Sequence, residues 1–365
     1  MKISDLTGAI ERIAPPMYQE DYDNAGLLVG DPSAEATGVL ISLDTTEAVL
    51  DEAIAKGCNL VLSHHPIVFR GLKRLNGKNH VERTVMKAVR HGVAIYAAHT
   101  NADNMLYNGV NTMIAEKLGV RGTRILSPKT GILKKLVTYA PHEHAARVLE
   151  GLFAAGAGHI GRYDECSFSL PGTGTFRAGP GTDPFVGQHG IRQNEPETMI
   201  EVIFSAHQQS AILKALRAVH PYEEIAYSVI SIENPHPDIG AGMVGELEAP
   251  MPTADFLLHV KNRMGAGCLR HTRILKPTVQ RIAFCGGAGS FLLGDAIGSG
   301  ADVYISADFK YHEFFGAEDR IVIADIGHFE CEQYTMELFF RVLSEKFPTF
   351  AVRLAETSTN PVHYL

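Results

Sequence analysis

Short apolar runs and helical stripes of apolar residues alternate along residues 38–120. Continuous apolar runs at 38–43, 60–62 and 93–98 predict buried β-strands. Between these runs, apolar residues recur at three- and four-residue spacing, which predicts amphipathic helices. Each helix is followed by a glycine that can end it: Gly57, Gly92 and Gly119. Strands and helices that alternate in this way are typical of parallel α/β units.

The last part of the chain, residues 280–354, repeats this alternation. The glycine run at 286–289 follows a predicted strand and precedes a predicted helix. It fits either an anion-binding helix N-terminus or a tight turn, and the pattern leaves both readings open. A long helix is predicted over about 330–347, followed by a strand over about 350–354.

The middle of the chain has a different pattern. Residues 134–232 predict the order β-α-β-β-α-β, which is typical of a ferredoxin-like unit, with a Gly/Pro-rich hairpin region at 171–180. We therefore predict an α/β protein with parallel-type sheets that is interrupted by a small α+β insert. The predicted segments are residues 1–130 for the first half of the core, 131–238 for the insert and 239–365 for the second half.

Composition narrows the class of protein. The chain has 365 residues and a net charge of −8, so the charge balance disfavours nucleic acid as a partner, although a local basic patch would not be visible in the sequence. The first residues lack a signal-peptide h-region, and no apolar run is long enough to span a membrane. The five cysteines form no C-x-x-C pair. These features predict a cytoplasmic protein without disulfides.

Histidines and carboxylates follow several predicted strands. The pair His64-His65 ends an apolar run and is followed by Pro66, which indicates that the strand stops there. Three more segments each carry an acidic residue and a histidine at i,i+4 spacing: His99/Asp103, Asp308/His312 and His328/Glu332. Because ligands bind beyond the carboxyl ends of strands in open α/β sheets, these segments are expected to converge.

Imidazole and carboxylate ligands together favour Zn, Mn, Fe, Co or Ni over Ca or Mg. A carboxylate can bridge two metal ions at hydrolytic sites. A single histidine at a strand end is more often a surface residue, and a single i,i+4 pair is more often a helix salt bridge. Four such segments at predicted strand ends strengthen the case for a metal site, which would suit two divalent ions, and the residues alone leave the structural readings open.

Several segments together resemble the Nif three-like family, whose members are often labelled GTP cyclohydrolase type two homologues. The segments that carry this resemblance are residues 23–30, 62–66, 99–103 with 109–111, 306–312 and 327–332. In the insert, residues 172–176, 184–187 and 220–224 resemble the additional PII/CutA-like domain of the longer bacterial members.

The resemblance implies a dinuclear metal centre. Its ligands would be His64, His65, Asp103, His328 and Glu332. His65 and Asp103 would hold one metal ion, His64 and His328 the other, and Glu332 would bridge them. Other side chains are implied in the surroundings of the metals: Asp308 and His312 would line the site and could move protons, and His99 would lie behind the ligands.

The resemblance also implies a homohexamer, a trimer of dimers. Two functions remain open. The first is a metal-dependent hydrolase that acts on a phosphoester, a nucleotide or a GTP-like cyclic amidine. The second is a metal-containing regulatory or scaffold protein with an effector-binding insert and no turnover. The substrate of the hydrolase would be a small molecule, and no membrane partner is expected.

Overall fold

The computed structural model describes residues 1–365, which form two compact units. The first unit comprises Met1–Pro128 and Asp238–Leu365, and the second comprises Lys129–Pro237. The α/β class predicted from the sequence is confirmed. No helix has the length and apolar character that crossing a membrane requires.

Helices and strands alternate through most of the chain. The helices are α1 (Ile3–Ile13), α2 (Glu47–Ala55), α3 (His80–His91), α4 (Thr100–Asp103), α5 (Val110–Leu118), α6 (Ala145–Ala154), α7 (Gln209–Val219), α8 (Thr253–Arg263), α9 (Leu293–Gly298), α10 (His328–Glu332) and α11 (Thr335–Lys346). The strands are β1 (Gly26–Val29), β2 (Val39–Ser42), β3 (Leu60–Ser63), β4 (Ala94–Ala97), β5 (Arg121–Pro128), β6 (Leu133–Pro141), β7 (Ser167–Arg177), β8 (Arg192–Ser205), β9 (Tyr227–Ile232), β10 (Gly240–Pro252), β11 (Arg270–His271), β12 (Thr278–Ala288), β13 (Val303–Ala307), β14 (Val322–Asp325) and β15 (Val352–Leu354).

The first unit contains two sheets. One has the strand order β1-β4-β3-β2-β15, in which β1 alone is antiparallel to its neighbour. The strands β2, β3 and β4 are buried along their whole length, as expected for a parallel sheet with both faces covered. β15, near the end of the chain, pairs with β2 and so belongs to this sheet rather than to the second.

The second sheet has the order β11-β14-β13-β12-β10-β5. Its centre, β12-β13-β14, is parallel, and its flanks are antiparallel. α5 lies between the two sheets, because Val110 and Met113 pack in the core of the first sheet while Ile114 and Leu118 pack in the core of the second. The carboxyl ends of parallel strands from both sheets can therefore contribute to one site.

The second unit is a four-stranded antiparallel sheet of order β7-β8-β6-β9 with α6 and α7. Its elements follow the order β-α-β-β-α-β along the chain. The helices cover one face of the sheet with a core that includes Leu136, Val148, Ile200, Val202 and Leu216.

Two predicted elements differ from the structure. The single helix expected over about 330–347 is divided into α10 and α11. At the division, the side chains of Gln333 and Tyr334 donate hydrogen bonds to the carbonyls of Met264 and Arg263. These tertiary bonds hold the junction, and apolar periodicity contains no signal for them.

The Gly/Pro-rich hairpin region expected at 171–180 belongs to the antiparallel hairpin of β7 and β8, but most of it is extended strand rather than turn, since β7 continues to Arg177. Gly174 shows why the segment contains glycine without forming a turn there. A Cβ atom there would lie 2.0 Å from Oε2 of Glu197, so the glycine makes room for a carboxylate rather than for a turn.

Candidate metal centre

The side chains at the candidate site come from the carboxyl ends of parallel strands. His64 and His65 follow β3, and His99 follows β4. His328 and Glu332 lie on α10, which begins soon after β14. The two sheets place these ends together, which is where open α/β sheets bind ligands.

Five side chains form two groups that share one carboxylate. In the first group, Nε2 of His64 lies 3.6 Å from Oδ1 of Asp103 and 3.6 Å from Oε1 of Glu332. In the second group, Oε2 of Glu332 lies 2.8 Å from Nε2 of His65 and 3.1 Å from Nε2 of His328. Within each group the candidate ligand atoms lie within 4.8 Å of one another. Glu332 thus presents one oxygen to each group.

The second nitrogen of each ring is already engaged. Nδ1 of His64 donates to the carbonyl oxygen of Ala98 at 2.8 Å. Nδ1 of His65 donates to Oδ1 of Asp44 at 2.7 Å, and Nδ1 of His328 donates to Oδ2 of Asp308 at 2.8 Å. Such bonds fix the tautomer and ring orientation of metal-binding histidines. They leave all three Nε2 atoms to face the shared carboxylate.

Two polar atoms at this place are buried without a hydrogen-bond partner: Nε2 of His64 and Oδ1 of Asp103. Buried polar atoms are almost always paired, because an unpaired one costs about 1–3 kcal/mol. A metal ion would satisfy both atoms at once. Three imidazoles and two carboxylates also form a donor set suited to Zn or another transition metal. The residues present therefore fit a metal site.

Burial and charge act differently on the two groups. Burial lowers the pKa of His64, although Glu332 opposes it. Burial also disfavours the charged form of His65, but hydrogen bonds with Asp44 and Glu332 outweigh it and raise the pKa to about 10. The same balance, with Glu332 and Asp308 as partners, raises the pKa of His328 to about 11. Burial and the nearby Glu332 raise the pKa of Asp103 well above its usual value.

The groups in the structure differ from the pairing of residues that the family resemblance implies. That pairing joined His65 with Asp103, and His64 with His328. The structure groups His64 with Asp103, and His65 with His328, with Glu332 in both groups. The reason lies in the chain: His64 turns into the core toward the end of α4, whereas His65 turns toward α10. Adjacent residues that leave a strand face opposite ways, and here each faces a different group.

The structure places Asp308 at the candidate site but His312 away from it. Asp308 contacts the site through His328 rather than as a free acid or base, and its carboxylate pKa is lowered mainly by that hydrogen bond. His312 lies on a 3-10 helix, exposed and packed against Tyr311 and Phe315, and it does not line the cavity beside the metal groups. The i,i+4 spacing of Asp308 and His312 therefore does not bring them together at the site.

His99 lies nearer the centre than expected, because its ring joins those of His64 and His65 in a third group of candidate ligand atoms. Its Nδ1 donates to Oδ1 of Asp23 at 2.7 Å. Burial raises the pKa of Asp23, but the bonds from His99 and Thr100 prevail and lower it to about 2. The ring of His99 is thus held by a charged carboxylate in the same manner as the candidate ligands.

Sequence reasoning did not identify the supporting role of Asp44, nor that of Gly287. Asp44 follows β2 at the position that corresponds to His65 after β3, and this place at a strand end was the signal in the sequence that could have identified it. Gly287 has φ +62°, and a Cβ there would lie 2.3 Å from Oε1 of Glu332. Gly287 therefore gives Glu332 the space to lie between the two groups, a role that neither reading of the glycine run 286–289 included.

The metal groups open into a cavity of about 800 Å³ in the first unit. Four exposed aromatic side chains line its walls: Tyr22, Phe69, Phe291 and Tyr364. Arg270 is a cation in the lining, and it pairs with the buried Asp325. The cavity offers flat apolar surface beside the candidate metal groups.

The second unit has a cavity of its own, of about 690 Å³. Glu197 and Tyr222 line it, together with Phe176 and Phe185. Glu197 is 9 % exposed, and the hydroxyl of Tyr222 is buried. This cavity shares no residue with the candidate metal groups.

Fold and site together define an α/β protein with a histidine-carboxylate cluster that could hold metal ions. The family model described as Duf34/NIF3 (NGG1p interacting factor 3) matches residues 1–361. The chain belongs to this family, and the resemblance drawn from its motifs is confirmed.

Similar proteins carry consistent names. A "GTP cyclohydrolase 1 type 2 homolog" of Halalkalibacterium halodurans is 38% identical over 320 residues, which cover 87% of this chain and 86% of the relative. A protein of the same name from Bacillus subtilis is 35% identical over 364 residues, 97% of this chain and 96% of the relative. Among solved structures, a Bacillus cereus protein related to NIF3 has a TM-score of 0.86 at 33% identity and covers 100% of this chain and 99% of that one.

Proposed function

We propose that the protein is a metal-dependent hydrolase whose site holds two divalent metal ions. The observation that supports this most directly is the geometry of Glu332. One of its oxygens faces His64 and the other faces His65 and His328, as a carboxylate that bridges two ions would. A second observation is that Nε2 of His64 and Oδ1 of Asp103 are buried without a hydrogen-bond partner, which a metal ion would supply.

Two divalent ions would polarise a substrate oxygen and activate water at this place. The chain supplies the orientation. Asp44 and Asp308 hold the rings of His65 and His328, and the main chain holds that of His64. His99, which Asp23 holds in place, is the group placed to accept or return a proton at a ring nitrogen. This role replaces the one that the sequence suggested for Asp308 and His312.

The walls of the cavity favour a substrate with a planar ring. Tyr22, Phe69 and Phe291 present exposed rings on which a flat heterocycle can stack. A GTP-like cyclic amidine fits this surface and agrees with the name that the relatives carry. A phosphoester or nucleotide remains the other substrate class to test, because dinuclear sites also bind phosphoryl oxygens.

The experiment is a metal analysis of the purified protein beside Glu332→Gln, with both proteins assayed on a panel of cyclic amidines, nucleotides and phosphoesters. We expect about two metal ions per chain and turnover in the wild type, and loss of both in the variant. Glu82→Gln is the matched control, because Glu82 is also buried but lies on α3, outside the cavity lining. A wild type without metal after reconstitution would overturn the proposal.

The cavity of the second unit favours a second candidate function, a regulatory protein whose insert binds a small effector. Its buried Glu197 and aromatic lining could hold a small cationic molecule. Two metal ions per chain with no turnover on any class of substrate would favour this candidate over the hydrolase. The homohexamer stays a prediction, which light scattering of the purified protein tests.

A further inference from the structure

The segment that follows β15, residues 356–364, lies beside the candidate metal centre; we call it the tail segment. Its residues Asn360, Val362 and Tyr364 line the 800 Å³ cavity. The segment contains no helix or strand, so its place depends on the hydrogen bonds that its side chains and main chain make.

One of these bonds reaches a candidate metal ligand through a single carboxylate. Oγ1 of Thr359 donates to Oδ2 of Asp44 at 2.6 Å. The other oxygen of Asp44 accepts from Nδ1 of His65 at 2.7 Å. Thr359 therefore fixes the rotation of the carboxylate that fixes the ring of His65.

A second contact of the tail segment reaches the helix that carries the other ligands of the same group. Nδ2 of Asn360 donates to Oε1 of Glu330 at 3.3 Å, and Glu330 lies on α10 between His328 and Glu332. The tail segment thus bonds to Asp44, which orients His65, and to α10, which carries His328 and Glu332.

The group of His64 and Asp103 is supported differently. The ring of His64 is wholly buried and donates to the main-chain carbonyl of Ala98. The main chain of Asp103 accepts a hydrogen bond from the buried Asn111. Both supports belong to the core of the first unit, so this group does not depend on the tail segment.

We propose that Thr359 is a positioning residue for one metal position alone: through Asp44 it orients His65 and so sets the metal affinity of the His65-His328 group. The inference rests on the proposed dinuclear site. It assigns the tail segment a part in metal loading and makes the two positions unequal. The His64-Asp103 position is built into the core, and the His65-His328 position is completed by the tail segment.

The test measures Zn²⁺ stoichiometry and the two dissociation constants, by chelator competition, for the wild type, Thr359→Val, Thr359→Ser and Thr357→Val. Thr357 is the matched control: it is the same residue type, half-buried in the same segment, but its hydroxyl donates to Glu52 on α2. We expect Thr359→Val to raise the Zn²⁺ dissociation constant of the His65-His328 position about 10-fold. This is the low end of the range for residues that support metal ligands. Thr359→Ser keeps the hydroxyl and is expected to restore wild-type affinity, and Thr357→Val to leave both constants unchanged.

A second measurement separates positioning from a general loosening of the segment. In the Asp44→Asn background, Thr359→Val is expected to have little further effect, because both changes act on one relay. Equal losses in Thr359→Val and Thr357→Val, or additive losses with Asp44→Asn, would overturn the inference while the dinuclear site stands. A wild type that binds no Zn²⁺ would instead overturn the proposed function.

Discussion

The two halves of the candidate metal centre differ in how the fold supports them. His64 is wholly buried, and its ring is held by a main-chain carbonyl. The side chains of His65 and His328 are 21 % and 38 % exposed, and both rings are held by carboxylates of other loops. We call the His64-Asp103 group the buried half and the His65-His328 group the open half. Glu332 therefore joins two unlike positions. The core of the protein holds the buried half, whereas side chains of neighbouring loops orient the open half.

The largest expected effect concerns the buried half. Asp103→Asn should reduce Zn²⁺ binding from two ions to one per chain, because it removes a carboxylate ligand that only this half uses. The metal-free variant should also be more stable than the wild type, since burial raises the pKa of Asp103 and its charged form therefore opposes folding near neutral pH. Metal analysis and urea unfolding of the metal-free proteins check both parts. Retention of two ions would contradict the division into halves.

The next effect concerns the open half. Asp308→Asn should weaken Zn²⁺ binding there about 10- to 100-fold, as is usual when the outer partner of a metal-binding histidine is changed, and should leave the buried half occupied. Chelator competition measures both constants.

Asp319→Asn is the matched control for this prediction. Asp319 and Asp308 both have positive φ, at 53° and 58°, so asparagine suits both backbones equally. Asp319 pairs with the exposed Arg273. Loss of affinity in this variant would mean that the effect of Asp308→Asn is not specific to His328.

The number of protons released on metal binding also tests the open half. The pKa values of His65 and His328 are raised to about 10 and about 11, so both rings are charged at pH 8 and must lose a proton when metal binds. The Asp103→Asn variant, which keeps the open half, should therefore release about two protons per Zn²⁺ at pH 8. Titration calorimetry in two buffers of different ionisation enthalpy counts them. Release of none would show that these rings are neutral.

The same two pKa values set a pH window for the metal-free protein. A histidine whose pKa is raised in the folded state contributes stability that is fully present below its unfolded pKa of about 6.5. That contribution is lost as the pH rises through about 10 and about 11. The urea midpoint of the metal-free protein should therefore fall in this range, and its fall should be smaller in His65→Gln.

The sequence predicted the site better than its internal arrangement. Strand ends marked by His64-His65, Asp103 and His328 were readable, because apolar runs stop there and parallel strands place their carboxyl ends together. The structure groups the candidate ligand atoms differently from the pairing that the resemblance implied, since which way two adjacent histidines turn depends on packing against α4 and α10. Spacing alone also suggested that Asp308 and His312 act as a pair. In the structure His312 lies on the 3-10 helix outside the cavity lining, whereas Asp308 lies in it.

The partners behind the ligands were harder to predict. Asp44 and Thr359 are 315 residues apart in the chain, and no local pattern relates them. Gly287 was visible as part of a glycine run, yet its purpose depends on the position of a carboxylate from another element. Periodicity reports which face of an element is buried, whereas these contacts depend on the three-dimensional placement of loops.

The smallest expected effect tests how firmly the core holds the shared carboxylate. Ser306 is wholly buried, and its Oγ donates to the carbonyl oxygen of Gly287 at 2.9 Å, next to Oε1 of Glu332 on the side of the buried half. Ser306→Ala should lower the free energy of unfolding by about 1 kcal/mol, the usual contribution of one such bond, with two metal ions still bound. Urea unfolding measures it, with Ser299→Ala as control because the hydroxyl of Ser299 donates to Ala296 at the end of α9. If Ser306→Ala lowers the Zn²⁺ affinity of the open half rather than that of the buried half, the assignment of Oε1 to His64 is contradicted.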